Sequence, residues 1–159
     1  MEKSKVYFIK EVSPENVVHA YEALGVELKG NVAVKLHGWV EIADVDIMDA
    51  EGEMTIPVVG GKHLDKNYVG KTFPEYDSML VLSHFKGHPM AGFGGALKNI
   101  SIGIASPEGK ANIHSAVKTA DVAKVWSMIP DNDTFQESMA EASKAIIDHI
   151  GDRVLYINV

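Results

Sequence analysis

One stretch limits the folds open to this chain more than any other. Tyr76–Ser83 (YDSMLVLS) is an almost continuous apolar run of strand length. A strand that is apolar on both faces belongs in the middle of a sheet that helices cover. Directly behind it comes Ser83–His114, SHFKGHPMAGFGGALKNISIGIASPEGKANIH. This segment holds His84, His88 and His114, Lys86, Lys98 and Lys110, six glycines and one acidic residue, Glu108. The whole chain carries a formal charge of −7, so a locally basic segment follows the predicted central strand of an acidic protein. In open α/β sheets ligands gather at the carboxyl ends of strands, beside the next helix N-terminus. Glycines let ligand atoms reach main-chain N–H groups, and basic side chains neutralise charge, so the segment suits an oxygen-rich anion.

The flanks predict alternating helices and strands. Lys5–Ile9 (KVYFI) reads as a first strand. Ser13-Pro14 caps and opens a helix that Gly25 stops, with Val17, Tyr21 and Leu24 on one face and His19 off it, in solvent. Asn31–Leu36 reads as a buried strand ending in His37. Val40–Ile47 (VEIADVDI) alternates like a strand with one wet face, Ala50–Glu53 as a turn, and Met54–Val59 as a short strand near an edge because of Pro57. Gly60–Gly70 reads as a loop and Lys118–Met128 as a short helix closed by Pro130. Asp133 with Gln136 resembles a capping box. The helix behind it buries Phe135, Met139, Ala142, Ile146 and Ile150 and ends at Gly151. Val154–Val159 is a last strand. The expected fold is α/β: a mixed or mostly parallel sheet flanked by helices, with a hairpin-like insertion near residues 40–59.

At 159 residues, 46% hydrophobic and 23% charged, the chain reads as one ordinary globular domain. Its acidic balance argues against nucleic-acid or anionic-membrane partners. It has no cysteine, which excludes disulfides and thiolate-held metals or iron–sulfur clusters within this chain. No apolar run of signal-peptide or membrane-spanning length is apparent, so a cytoplasmic location is expected.

Each motif has a functional and a structural reading. Gly92–Gly95 (GFGG) can cradle phosphate or can be a tight turn packing a helix; it lacks a full dinucleotide or P-loop pattern. Gly94-Gly95, followed by Lys98-Asn99, forms a loop-to-helix junction suited to a cofactor or anion, with Lys86 and Lys110 as further binding residues. His84, Lys86 and His88 alternate and would share one strand face. Two neutral imidazoles can bind zinc, nickel or iron, and His114 or His37 can supply the third ligand that a zinc site wants. His84, His88 and His114 are therefore the candidate metal ligands, and His88 and Lys98 the candidate catalytic pair. A lysine in the apolar stretch ALKNISIGIA, if desolvated, has a lowered pKa and can act as nucleophile or base. Asp44, Asp46 and Asp49 fit a solvated strand face better than a cation site. Trp39 and Trp126 are expected in the core or at an interface. Ser83 and Ser106 lack a nucleophile motif.

The run VLSHFKGHPMAGFGGALKNISIGIASPEGKANIH resembles the domain-of-unknown-function 362 family, described in places as iron–sulfur-centre proteins. The likeness spans about Val40–Val159, and Lys5–His37 resembles the start of the same family. His37 passes straight to Gly38-Trp39 where the family continues through another βα section, so the chain is similar to a shortened member. A more distant likeness joins His88, Gly94-Gly95, Lys98 and His114 to nickel-pincer lactate racemases. It implies Lys98 as cofactor tether, His114 as nickel ligand and His88 as acid/base. Two functions follow as expectations: a His/Lys/Gly pocket for a metal, metal cofactor or small anion, or a non-catalytic, homo-oligomer-forming remnant of a larger enzyme-like domain. A shortened sheet leaves edges that a second copy would cover.

Overall fold

The computed structural model describes residues 5–36 and 46–159. Along them run α1 (Pro14–Leu24), β1 (Val32–Lys35), β2 (Glu53–Pro57), β3 (Lys66–Gly70), β4 (Ser78–Ser83), β5 (Lys86–His88) and β6 (Gly92–Gly94). Then follow α2 (Ala96–Ile104), α3 (Pro107–Ser115), α4 (Asn132–Ile150) and β7 (Val154–Asn158). β4 is the middle strand of a parallel sheet ordered β1-β4-β7, with Val34 beside Leu80 and Leu80 beside Leu155. Two antiparallel hairpins, β2-β3 and β5-β6, complete an α/β fold of the expected class.

The two sheet faces are covered unequally. Ala33, Met79, Val81 and Val154 project from one face into a core shared with Ile100 and Ile104 of α2, Ile113 of α3 and Ala142, Ala145, Ile146 and Ile150 of α4. The 3.6-residue period of α4 turns Phe135, Ala142, Ile146 and Ile150 inward. Its cap is Asp131, whose carboxylate accepts the Thr134 N–H, so the helix begins two residues before the expected box at Asp133. Glu141 of α4 also accepts the N–H groups of Lys62, His63 and Leu64 at 2.8, 3.0 and 2.8 Å, pinning the β2–β3 loop. On the opposite face Leu155 and Ile157 are covered, but Val32 and Val34 stand 37% and 52% exposed. α1 forms as expected, with Ser13 capping and Gly25 in the left-handed region, yet none of its residues is buried.

Several expectations fail for identifiable reasons. Lys5–Ile9 is irregular, not a strand, and Val6 and Phe8 are exposed. Among the described residues no backbone hydrogen bond joins it to a neighbour, so its β-prone side chains have no ladder. Asn31–Leu36 is not a buried strand: β1 lies at the sheet edge with only Ala33 fully covered. Gly60–Gly70 is not all loop, because Lys66–Gly70 pairs with β2 and buries Asn67 and Val69. Lys118–Met128 is a series of turns with one 3₁₀ turn at Val125–Ser127. Ala116 and Val117 leave α3 with φ of 47° and 71°, and the Thr119 and Asp121 side chains accept from the Asp121 and Ala123 N–H groups, competing with helix. The reading of Val40–Ile47 and those of His37, Trp39 and Asp44 fall on residues 37–45, outside the described residues; Asp46 and Ile47 are irregular. Where described, the hairpin of the 40–59 region is β2 with β3, reaching to Gly70. Among the described residues no helix is long and apolar enough to cross a membrane.

Candidate functional site

A cavity of about 220 Å³ opens at the carboxyl ends of β1 and β4. Lys35, His84, Lys86, His88, Lys98 and Asn99 line it, together with Gly94, Gly95 and Gly103. β4 ends at Ser83, and the Phe85 N–H donates to the Val159 carbonyl, so the chain leaves the sheet beside the end of β7. The β5-β6 hairpin then folds back with Gly94 opposite Lys86. Gly95 caps α2, where a Cβ would stand 3.2 Å from Asn158 Oδ1 and 3.3 Å from the Phe85 ring. Asn158 Oδ1 instead accepts the Ala96 N–H at 3.0 Å. The first turn of α2 presents Lys98 and Asn99, and the Asn99 amide donates to Leu82 O and Ser83 Oγ at 3.2 and 3.0 Å. That pair of bonds fixes the helix start to the end of the central strand.

The lining thus brings together His84, Lys86, His88, Gly94, Gly95, Lys98 and Asn99, all named from the sequence. It leaves out Lys110 and His114, which sit on α3. His114 stacks on Phe135 with ring centroids 5.2 Å apart, and Trp126 stands 6.0 Å away, itself 72% exposed. The other expected polar groups serve the fold: Asp46 accepts from Thr72 and Tyr76, Ser106 caps α3, and Asp49 lies in a turn. Lys35 lines the cavity and was not singled out from the sequence. Its signal was legible: it is the last residue of a strand parallel to β4, at the end where ligands collect.

The two imidazoles are held in opposite tautomers. His88 Nδ1 accepts the Met90 and Ala91 N–H groups at 3.3 and 3.1 Å, which leaves its proton on Nε2 when the ring is neutral. His114 Nδ1 lies 2.6 Å from the Lys110 carbonyl, which can only accept, so its proton is on Nδ1. Burial, then Lys98 and Lys86, hold His88 below the ordinary histidine range. Burial holds His114 below it as well, against the hydrogen bond to Lys110. Burial and the neighbouring Lys86 lower Lys98, and burial and Lys110 lower Lys35. The shifts of His88, Lys98 and Lys35 have one setting in common. Cationic groups are gathered in a partly desolvated place whose lining, among the described residues, carries no carboxylate.

The model of one protein family, Domain of unknown function (DUF362), matches residues 17–159. The chain belongs to that family. The DUF362 match spans β1, the central strand, the cavity lining and α4, and it bears out the resemblance read from the segment behind the central strand. No curated protein and no solved structure matches the chain, and the likeness to nickel-pincer lactate racemases gains no support from these comparisons.

The donor set of this DUF362 chain bears on metals directly. It contains no cysteine, so it does not fit a thiolate-held iron–sulfur cluster. Among the described residues no three His, Asp or Glu side chains come together as a metal site. What the geometry offers is a set of hydrogen-bond donors: the ammonium groups of Lys35, Lys86 and Lys98 and the Nε2–H of His88. In addition, the lowered Lys98 gives up its proton more readily than a free lysine, as a nucleophile or base requires.

Proposed function

We propose that the cavity binds a small anion, held by Lys86 and Lys98 through charge-assisted hydrogen bonds and by His88 through Nε2–H. The tautomer of His88 carries this reading. A metal needs an unprotonated ring nitrogen, and the backbone of Met90 and Ala91 occupies the one that His88 has. The same contact turns the other nitrogen into a donor, which an anion accepts. Nickel or zinc held by His84, His88 and His114 would require His88 to flip and His114 to leave its place on α3. Isothermal titration with a small carboxylate, alongside zinc and nickel, separates the two. Heat from the carboxylate that Lys98→Met removes supports the anion; metal heats that His114→Ala removes, with none from the carboxylate, overturn it.

A second reading, a non-catalytic homo-oligomer, is favoured by one observation: Val6, Phe8 and Val34 are 88%, 89% and 52% exposed on the thinly covered side of the sheet. A second copy packed there would cover them. Light scattering at high micromolar concentration, where only monomer would count against it, is its test.

A further inference from the structure

Lys35 reaches the cavity across a helix that has made room for it. Gly103 lies in α2, and a Cβ there would overlap the Lys35 side-chain end, with Nζ only 2.9 Å away. Elsewhere in a helix a glycine costs stability relative to alanine, so one placed where a lysine passes has a steric reason. The Lys35 ammonium is anchored to the Leu36 carbonyl at 2.7 Å, and the side chain is only partly exposed. It approaches from β1, whereas Lys86 and Lys98 approach from the hairpin and the first turn of α2. All three lysines line the same cavity, two from the hairpin and helix side and Lys35 from the strand side.

We infer that the ligand carries two anionic groups, one held at Lys86 and Lys98 and the other at Lys35, so that its class is a short dianion such as a dicarboxylate. This rests on the anion reading above and adds to it a second point of contact. Butyrate and succinate are the probes, because they share a four-carbon chain and differ by one carboxylate.

Calorimetric titration of the full chain should show succinate binding about tenfold or more tighter than butyrate, the gain expected of one added charge-assisted contact. Lys35→Met keeps the length and apolar stem of the side chain and should erase that preference while butyrate still binds. Gly103→Ala keeps the lysine but displaces it, and should erase the preference in a chain at least as stable to urea. Lys98→Met should weaken both ligands. Equal affinities for the two probes in the unaltered protein, or a preference that survives Lys35→Met, overturn the dianion while leaving the anion site standing. Absence of heat from both probes overturns the two together.

Discussion

The two faces of one sheet make the most instructive comparison in this molecule. Toward α2, α3 and α4 the sheet presents Met79 and Val81, both fully buried, and the pocket opens at the end of that layer. Toward α1 it covers Leu155 and Ile157 but leaves Val32 and Val34 in solvent. A larger cavity, about 620 Å³, lies on that side among residues 5–24 and β7. Size does not make it the better site. It is lined mainly by apolar side chains and backbone, whereas the smaller cavity draws lysines and histidines from β1, β5, α2 and the connection after β4. Polar groups can be aimed only from elements that are themselves held, and the packed layer holds them.

The largest effect expected from this contrast is on stability. Ile146→Ala, in the middle of α4 and fully buried, should cost about 2–5 kcal/mol in urea unfolding. Leu24→Ala, on the half-buried face of α1, should cost below about 1 kcal/mol. Similar losses at the two positions would break the comparison. Next comes binding. Lys98→Met should weaken a bound anion about tenfold or more, and Val34→Ala on the open face should leave titration heats unchanged. Helix caps sharpen the contrast on a smaller scale. Asp131→Ala removes the cap of α4 and should cost about 1 kcal/mol. Ser13→Ala removes the cap of α1, which can fray without opening the core, and should cost only a few tenths of a kcal/mol by roughly the same denaturation measurement.

The smallest effect is a pH dependence with a definite sign. His88 and His114 are held below the ordinary histidine value, so the unfolded chain takes up protons that the folded chain refuses. Their contribution to stability is fully present above the unfolded value of about 6.5 and is lost as pH falls toward the folded values. Anion binding runs the other way. The groups that act on His88 are Lys98, Lys86 and His114, all cationic when protonated, so a bound anion favours protonation there. The upward shift in melting temperature that succinate produces should therefore be larger near pH 6 than near pH 8, by roughly the proton-linkage rule. The reverse trend is what metal binding to neutral imidazole would give.

The packed layer is also the part that was legible in the sequence. The apolar run of β4 and the helical period of α4 are long patterns, and both elements stand where those patterns predict. Lys5–Ile9 has the composition of a strand but no partner, and pairing is a property of the fold rather than of the segment. α3 was missed although Ser106-Pro107 repeats the opening signature of Ser13-Pro14. Its sequence PEGKANIHS has no apolar stripe, because small residues bury it where large ones usually do. At the site, His84 through Asn99 were legible as a local cluster, and local sequence delivered them together. Lys35 was legible only as the last residue of a strand parallel to β4; that Gly103, on another element, leaves space for its side chain was not. Lys110 and His114 erred in the opposite direction: adjacency in sequence placed them with the cluster, and α3 carries them outside its lining.

The central claim is that the packed end of the sheet, and not the open face, holds the ligand. Backbone amide NMR of the isotope-labelled chain titrated with succinate tests it most directly. The account predicts that the shifted amides gather at Gly94, Gly95, Lys98, Asn99 and Lys35, with those of α1 and residues 5–12 unmoved. Shifts confined to α1 and β7, or none at any succinate concentration, would contradict it.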